Sequence, residues 1–227
     1  MQSGRYIKKE KNGVNRILVK THVLEPGEDI VEIIKRYAGS IIEPEDIVVI
    51  GESALAITQG RAIPIKCMRP SLLARVLWRF VRKVPYGTGL RNPYSMQAAI
   101  DEIGAIRVLF AAVLGGITRL LGRKGDFYRI SGRQAAMIDA PHTSPIPPYD
   151  ECVIKGPKEP ERVVKRIKRV LDTEVAVMDI NDIGGSWVIA ATEKVPIKEL
   201  EELMRDNPMG QGTELTPICV IKKFTKK

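Results

Sequence analysis

The chain has 227 residues, of which 44% are hydrophobic and 5% aromatic, a composition typical of a globular protein with one large domain or two small ones. The net charge is +9, but it is unevenly spread. Residues 53–138 hold 14 Lys and Arg against three acids, so this segment carries +11 and the remainder of the chain −2.

Three features argue against a secreted, zinc-binding or membrane-spanning protein. The three cysteines are far apart and lack a CxxC pair or a nearby histidine, which predicts reduced, buried thiols rather than a disulfide framework or a zinc site. The polar N-terminus, MQSGRYIKKEKNG, has no secretory apolar region, so we expect a cytoplasmic protein. The most apolar run, at 108–118, is shorter than the roughly 20 residues that span a bilayer and predicts a buried strand or helix.

The first part of the chain alternates two kinds of periodicity. Runs of β-branched or apolar residues predict strands at 14–21, 47–50 and 54–58. Apolar residues at helical spacing predict helices at 30–37, 70–84 and 92–104, the last with Asn92 as its N-cap and Pro93 in its first turn. The run at 106–114 favours a strand over a helix, and a turn at 123–126 precedes a predicted strand at 127–130.

A proline-rich stretch at 140–148 can form neither a regular helix nor a central strand. It divides a single unit, 1–227, into two possible subdomains, a basic part at 1–139 and a second part at 140–227. The later segments predict helices at 160–171 and 198–204 and strands at 174–180, 187–190 and 217–223. This order predicts an α+β fold, with mixed sheets and flanking helices.

Two acids follow apolar runs and are candidate metal ligands. Asp139 comes after AAMI, and Asp179 comes near the end of the strand VAVM. Carboxylates at strand ends suit Mg²⁺, which one or two carboxylates hold together with phosphate oxygens. The alternative is that each aspartate caps a local turn.

The segment 209–214, MGQGTE, is a second candidate. Gly210 and Gly212 permit close approach of backbone N–H groups to an anion, and Gln211 and Glu214 add oxygen ligands. The segment is not a P-loop, because no GKS or GKT follows. The alternative is a plain connector between a helix and a strand.

Other chemistry is less well supported. His22 and His142 have no Ser or Cys partner in a nucleophile motif, which argues against a serine or cysteine hydrolase. The segment 53–138 is basic enough for nucleic acid or an anionic membrane surface, although a basic solvated face would give the same pattern.

Five segments, taken in order, resemble one family, the GTP-dependent γ-glutamyl ligase of the deazaflavin coenzyme F420 (coenzyme F420-0:L-glutamate ligase). The segments are LEPGEDI at 24–30, DIVVI at 46–50 continuing to QGR at 59–61, MIDA at 137–140, VMDIN at 177–181, and MGQGTE at 209–214 followed by Pro217.

The resemblance implies an α+β subunit in an intertwined homodimer. It implies a ligase that uses GTP, or ATP, with Mg²⁺ or Mn²⁺ to phosphorylate a small-molecule carboxylate, which the amine of an amino acid such as L-glutamate then attacks. The implied metal ligands are Asp139, Asp179, Gln211 and Glu214. The implied nucleotide or phosphate contacts are Arg61, Asn181, Gly210 and Gly212.

Three positions differ from the family pattern. Ile57 stands where the family has lysine, and Gln59 and Gln211 stand where it has glutamate. These differences favour an alternative, a non-catalytic phosphate- or nucleotide-binding module with the same fold. A third hypothesis is nucleic-acid or anionic-membrane binding through 53–138. The sequence does not specify the acceptor, the amino acid or the nucleotide base. It also does not indicate a role for the basic helix at 70–84.

Overall fold

The computed structural model describes residues 5–81, 89–120, 122, 126–182 and 185–223. Their contacts divide the chain into two compact units. The first unit comprises residues 1–60 and 157–227, and the second comprises residues 61–156. The proline-rich stretch, where the sequence suggested a subdomain boundary, therefore lies inside the second unit.

The elements of the described residues are numbered in chain order. The strands are β1 (Tyr6–Lys11), β2 (Val14–Val19), β3 (Ile47–Gly51), β4 (Ala62–Pro64), β5 (Cys152–Ile154), β6 (Glu174–Asn181), β7 (Gly185–Ala191) and β8 (Ile218–Ile221). The helices are α1 (Ile30–Ala38), α2 (Glu52–Thr58), α3 (Leu72–Leu77), α4 (Pro93–Ile103), α5 (Ala105–Leu120), α6 (Asp126–Ser131), α7 (Arg133–Ala136), α8 (Pro160–Leu171) and α9 (Ile197–Met204).

A six-stranded mixed sheet forms the first unit, in the order β1-β2-β8-β3-β6-β7. Strands β3 and β6 run parallel, and the other neighbours are antiparallel. The sequence IVVI of β3 is buried on both faces, as expected for a central strand. β1 is the opposite case, a lysine-rich edge strand that keeps its paired backbone but exposes charged side chains.

Helices cover both faces of this sheet. On one face, α9 contributes Leu200, Leu203 and Met204 to an apolar cluster with side chains from the central strands. Helix α8 contacts β6 and β7 and buries its narrow apolar stripe, Val164 and Ile167. Helix α1 begins at an N-cap, Asp29, whose carboxylate accepts the backbone N–H of Val31.

The second unit is mainly helical. Strands β4 and β5 form a two-stranded antiparallel sheet, and helix α4 contacts α3, α5, α7 and β5. Its core consists largely of small and medium apolar side chains from these elements, with Met96, Ala99, Val108 and Ile138 among them. Within the residues described, no helix has both the length and the apolar character needed to cross a bilayer.

Most predicted elements are confirmed, and three predicted strands are wrong. Residues 54–58, 106–114 and 127–130 all belong to helices, α2, α5 and α6. Each is a short apolar run, and such runs do not distinguish a strand from a helix by periodicity alone. Residues 82–84 of the predicted helix at 70–84 and 123–125 of the predicted turn at 123–126 lie outside the described residues.

The predicted burial also needs two corrections. All three cysteines are free, but Cys67 is exposed rather than buried. The apolar run at 108–118 is only partly buried, because Val108 and Ala111 face the core while Phe110 and Val113 are exposed.

Candidate functional site

The candidate site lies at one edge of the six-stranded sheet, where the parallel strands β3 and β6 end. Gly51 of β3 is aligned with Met178 of β6, and Glu52 and Asp179 are the residues that directly follow this last aligned pair. Carboxyl ends of parallel strands in open sheets are common places for ligands. Glu52 therefore follows β3, and Asp179 lies near the end of the neighbouring strand β6.

Glu52 is a residue that the sequence analysis missed. It is buried, and it begins helix α2 directly after the central strand β3. The available signal was an acid immediately after a fully apolar strand, the same pattern that identified Asp139 and Asp179. Because a strand was wrongly predicted at 54–58, the change from strand to helix at Glu52 was not recognised.

Asp179 is a half-buried carboxylate near the end of β6. Among the described residues the Asp179 carboxylate has no hydrogen bond or ion pair, and burial raises its pKa above the usual value for aspartate. A bound cation would offset the desolvation of this carboxylate. The geometry of Asp179 is therefore consistent with its predicted role as an oxygen ligand.

Gln211 contacts the backbone just beyond Asp179. Its amide Nε2 donates to the carbonyl of Ile180 at 3.4 Å, and its Oε1 accepts the backbone N–H of Asp182 at 3.2 Å. A glutamate at this position would lose the donated hydrogen bond. The glutamine thus brings the segment 209–214 against the end of β6.

Glu214 folds back over the two glycines of the same segment. A Cβ on Gly210 would lie 2.8 Å from the carboxyl carbon of Glu214, and a Cβ on Gly212 would lie 2.9 Å from both of its oxygens. Gly210 also has a positive φ of 77°, which favours glycine. These glycines therefore give room to the Glu214 carboxylate, and their predicted contact with a phosphate stays a prediction.

A second hydrogen-bonded link holds this segment in place. Asn207 donates from Nδ2 to the Asp182 carboxylate at 2.6 Å, and its Oδ1 accepts the backbone N–H of Gly210 at 3.0 Å. Asn207 is buried and has a positive φ of 40°. It is a positioning residue that nothing in the local sequence pattern had indicated.

Asn181 and Arg61 have structural partners. The Asn181 Oδ1 accepts the backbone N–H of Gly185 at 3.0 Å, across the connection between β6 and β7. Arg61 is buried in the second unit, where it pairs with Glu102 at 2.6 Å and donates from Nε to the carbonyl of Gly156. Their contacts with a nucleotide or phosphate stay predictions.

Asp139 belongs to the second unit, whereas Asp179, Gln211 and Glu214 belong to the first. The backbone of Asp139 pairs with Ile154 of β5, through N–H···O distances of 2.8 and 3.2 Å. A metal site that includes all four predicted ligands stays a prediction.

The donors at this edge suit a hard cation. Asp179, Gln211 and Glu214 offer only oxygen ligands, which favours Mg²⁺ or Mn²⁺ over zinc. In the part of the chain that the structure describes, no group of three or more His, Cys, Asp and Glu side chains is arranged to hold a metal ion. A cation at this edge would therefore need phosphate oxygens or water to complete its coordination.

A basic groove lies along the outer face of α8, also in the first unit. Its cavity of about 710 Å³ is lined by Gln59, Glu159 and Val163 together with five cations, Lys158, Arg162, Lys165, Arg166 and Arg169. Two of these cations have acidic partners, since Arg162 pairs with Glu159 and Arg166 pairs with Asp29. The groove is a candidate site for a phosphate-bearing ligand.

Gln59 fixes one wall of this groove. Its Nε2 donates to the carbonyl of Lys158 at 2.9 Å, and its Oε1 accepts the backbone N–H of the same residue at 2.7 Å. Gln59 and Gln211 therefore share a function, because each amide bonds to both a donor and an acceptor of the backbone. The structure explains both glutamines without reference to a ligand.

Comparison with known proteins identifies a family for this chain. A search of curated proteins finds no significant relative. The sequence model of the family described as F420-0:Gamma-glutamyl ligase matches residues 18–203, which include Arg61, Asp139, Asp179 and Asn181 but end before Gln211. Because this match spans most of the sequence, the chain belongs to the F420-0:gamma-glutamyl ligase family.

Proposed function

We propose that this protein is an acid–amino-acid ligase that forms an amide bond between a small-molecule carboxylate and an amino acid such as L-glutamate. GTP or ATP transfers its γ-phosphoryl group to the carboxylate, and the nucleoside diphosphate leaves. The amine then attacks the acyl carbon, and inorganic phosphate leaves. The observation that carries the proposal is the family match over residues 18–203, which includes parts of both units.

The sheet edge supports the metal-binding part of this proposal. In it, Asp179 and Glu214 would hold Mg²⁺ or Mn²⁺, and the Gln211 amide oxygen would add a neutral ligand. When bound, the cation would neutralise charge on the phosphates. The hydrogen bonds of Gln211 and Asn207 to the end of β6 hold the segment 209–214 against the strand that carries Asp179.

The basic groove supports the nucleotide-binding part. Helix α2 starts at Glu52 on the sheet edge and ends at Thr58, next to Gln59 in the groove. Seven helical residues rise about 10 Å. The first unit therefore places cations and carboxylates about one short helix apart, a spacing suited to a ligand that carries several phosphates.

The test is titration calorimetry with GTP and ATP, each with Mg²⁺ or Mn²⁺. We expect nucleotide binding that depends on the metal and that weakens about tenfold or more in Asp179→Asn, because the carboxylate loses its charge. Asp172→Asn is the matched control, since Asp172 is an exposed aspartate just before the opposite end of β6. Absence of nucleotide binding in the presence of metal would refute the ligase.

A non-catalytic binding module is the second candidate, and the two glutamines favour it. Both stand where the family has glutamate, and both amides are engaged by the backbone. Release of phosphate from GTP or ATP in the presence of L-glutamate and a carboxylate substrate distinguishes the two functions. A module would bind nucleotide without release of phosphate.

The homodimer implied by the resemblance is part of the same proposal. Its measurement is the molar mass in solution by light scattering after size exclusion. A mass near twice 25.3 kDa supports the dimer, and a mass near 25.3 kDa refutes it.

A further inference from the structure

The second unit accounts for the whole net charge of the chain. Residues 61–156 contain 15 Lys and Arg against 6 Asp and Glu, whereas the remaining residues contain 21 of each. Among the described residues of this unit, two acids are exposed, Asp101 and Glu151. Seven cations are exposed: Lys66, Arg69, Arg75, Arg79, Arg107, Arg129 and Arg133.

The same unit exposes most of the large apolar side chains on the described surface. Eight of the eleven exposed large apolar residues belong to it, all in α3, the 3₁₀ turn that follows α3, or α5. Five of them lie on α5: Ile106, Leu109, Phe110, Val113 and Ile117. Their spacing of three and four residues places them on a single helix face about 100° wide.

Helix α5 is fixed in the unit by its opposite face. Val108 and Ala111 are fully buried, and Gly115 packs so closely that an added Cβ would lie 3.1 Å from the backbone of Phe127 in α6. The helix has 16 residues and is therefore about 24 Å long. Its outer face presents Ile106, which is 87% exposed, and Phe110, which is 57% exposed.

A second stripe of exposed apolar side chains runs along α3 and the 3₁₀ turn after it. Leu72, Val76 and Phe80 repeat every four residues and are all exposed. The cations Arg75 and Arg79 lie between them in sequence, and both are also exposed. Apolar side chains interleaved with arginines are the composition of helices that lie in a membrane interface.

We propose that the second unit docks on an anionic lipid bilayer, with the outer face of α5 in the headgroup region and exposed arginines of the same unit on the lipid phosphates. A nucleic acid would match the charge but would leave the apolar face of α5 uncovered. A second copy of this chain would cover the apolar face, but it would bring together two units of charge +9. An anionic bilayer complements both properties.

The test is co-sedimentation of the full chain with vesicles of phosphatidylcholine, alone or with 30% phosphatidylglycerol. We expect at least about tenfold stronger partitioning into the anionic vesicles, because several cations lie near the surface, and a decrease when salt is raised. The triple variant Ile106→Gln, Phe110→Gln and Val113→Gln should reduce this partitioning about tenfold, because it removes apolar side chains that enter the interface.

The control is Val170→Gln with Ile197→Gln, which makes the same chemical change at two exposed positions of the first unit. This variant should partition like the wild type. Circular dichroism must show unchanged helix content in both variants, which is expected because glutamine is a good helix former at exposed positions.

Four results would overturn the proposal. The first is equal partitioning into neutral and anionic vesicles, and the second is an equal effect of the α5 and control variants. The third is a fall in the molar mass in solution of the α5 variant without vesicle binding, which would identify a second copy as the occupant. Retention on DNA that the α5 variant leaves intact, with no vesicle binding, would identify nucleic acid instead. None of these results depends on nucleotide binding, so failure here is separate from failure of the ligase.

Discussion

Replacement of Glu102 by glutamine should destabilise the second unit, because Glu102 compensates the buried charge of Arg61. The carboxylate of Glu102 pairs with Arg61 at 2.6 Å and with Lys155 at 3.3 Å. The Arg61 side chain is 7% exposed and the Glu102 side chain 16%. Glu102→Gln keeps the shape but removes the negative charge shared by the two cations.

The expected loss is about 3 kcal/mol of unfolding free energy. Removal of one partner from a buried ion pair typically costs about 3–5 kcal/mol, because the other charge is left buried without compensation. The lower end applies here, since the amide oxygen of glutamine still accepts a hydrogen bond and Arg61 keeps its bond to the carbonyl of Gly156. Asp101→Asn is the matched control, because Asp101 is the adjacent exposed acid and its change should cost less than about 0.5 kcal/mol.

Tryptophan fluorescence can isolate the second unit. The chain has two tryptophans, of which Trp78 belongs to the second unit and Trp187 to the first. In a Trp187→Phe background, urea unfolding followed by the emission of Trp78 reports the second unit. A Glu102→Gln curve that coincides with the Asp101→Asn curve at pH 7 would refute the reasoning.

The same variants predict a dependence on pH. Burial raises the pKa of Glu102, but Arg61 and Lys155 together outweigh it, so the pKa lies below the ordinary value of 4.5. A carboxyl group whose pKa is lowered by folding stabilises the folded state at pH values above its pKa in the unfolded chain. This stabilisation is lost as the pH falls from about 4.5 through the pKa of the folded state. The difference between wild type and Glu102→Gln should therefore shrink in that window.

Three further predictions concern other parts of the chain. Gln211→Glu should lower stability by about 0.5–1 kcal/mol in urea unfolding, because a carboxylate cannot donate to the strand carbonyl that the amide now bonds; an unchanged midpoint would contradict this. Gly185→Ala should destabilise the first unit by about 1–3 kcal/mol and shift the emission of Trp187 in a Trp78→Phe background, because the new methyl group would overlap the indole ring. A thiol reagent should titrate one cysteine in the native chain, Cys67, since it is exposed while burial raises the pKa of Cys219 to about 12; three fast thiols would show that this packing is wrong.

Elements with one apolar face and clear end signals were predictable from the sequence. Helix α8 has the predicted bounds, because a proline opens it and its apolar residues form a single stripe. Helix α5 was not predictable, because its buried face and its exposed face are both apolar, so no amphipathic period marks it. Strand β1 has a charged sequence and becomes a strand only through pairing with β2.

The candidate site divides in the same way. Asp179 was predictable as an acid near the end of an apolar strand, and it is half-buried at the sheet edge. The hydrogen bonds of the Gln211 and Gln59 amides were not predictable, because their backbone partners are about 30 and 99 residues away in the sequence. Long-range contacts of this kind leave no local pattern.

The position of β8 has a consequence for the order of folding during synthesis. This strand lies between β2 and β3, although it follows both by more than 160 residues. Until residues 218–221 leave the ribosome, the hairpin of β1 and β2 has no edge of the sheet to join. The second unit is complete in sequence by residue 156. We therefore expect it to fold before the first unit, whose sheet is completed only when β8 has been synthesised.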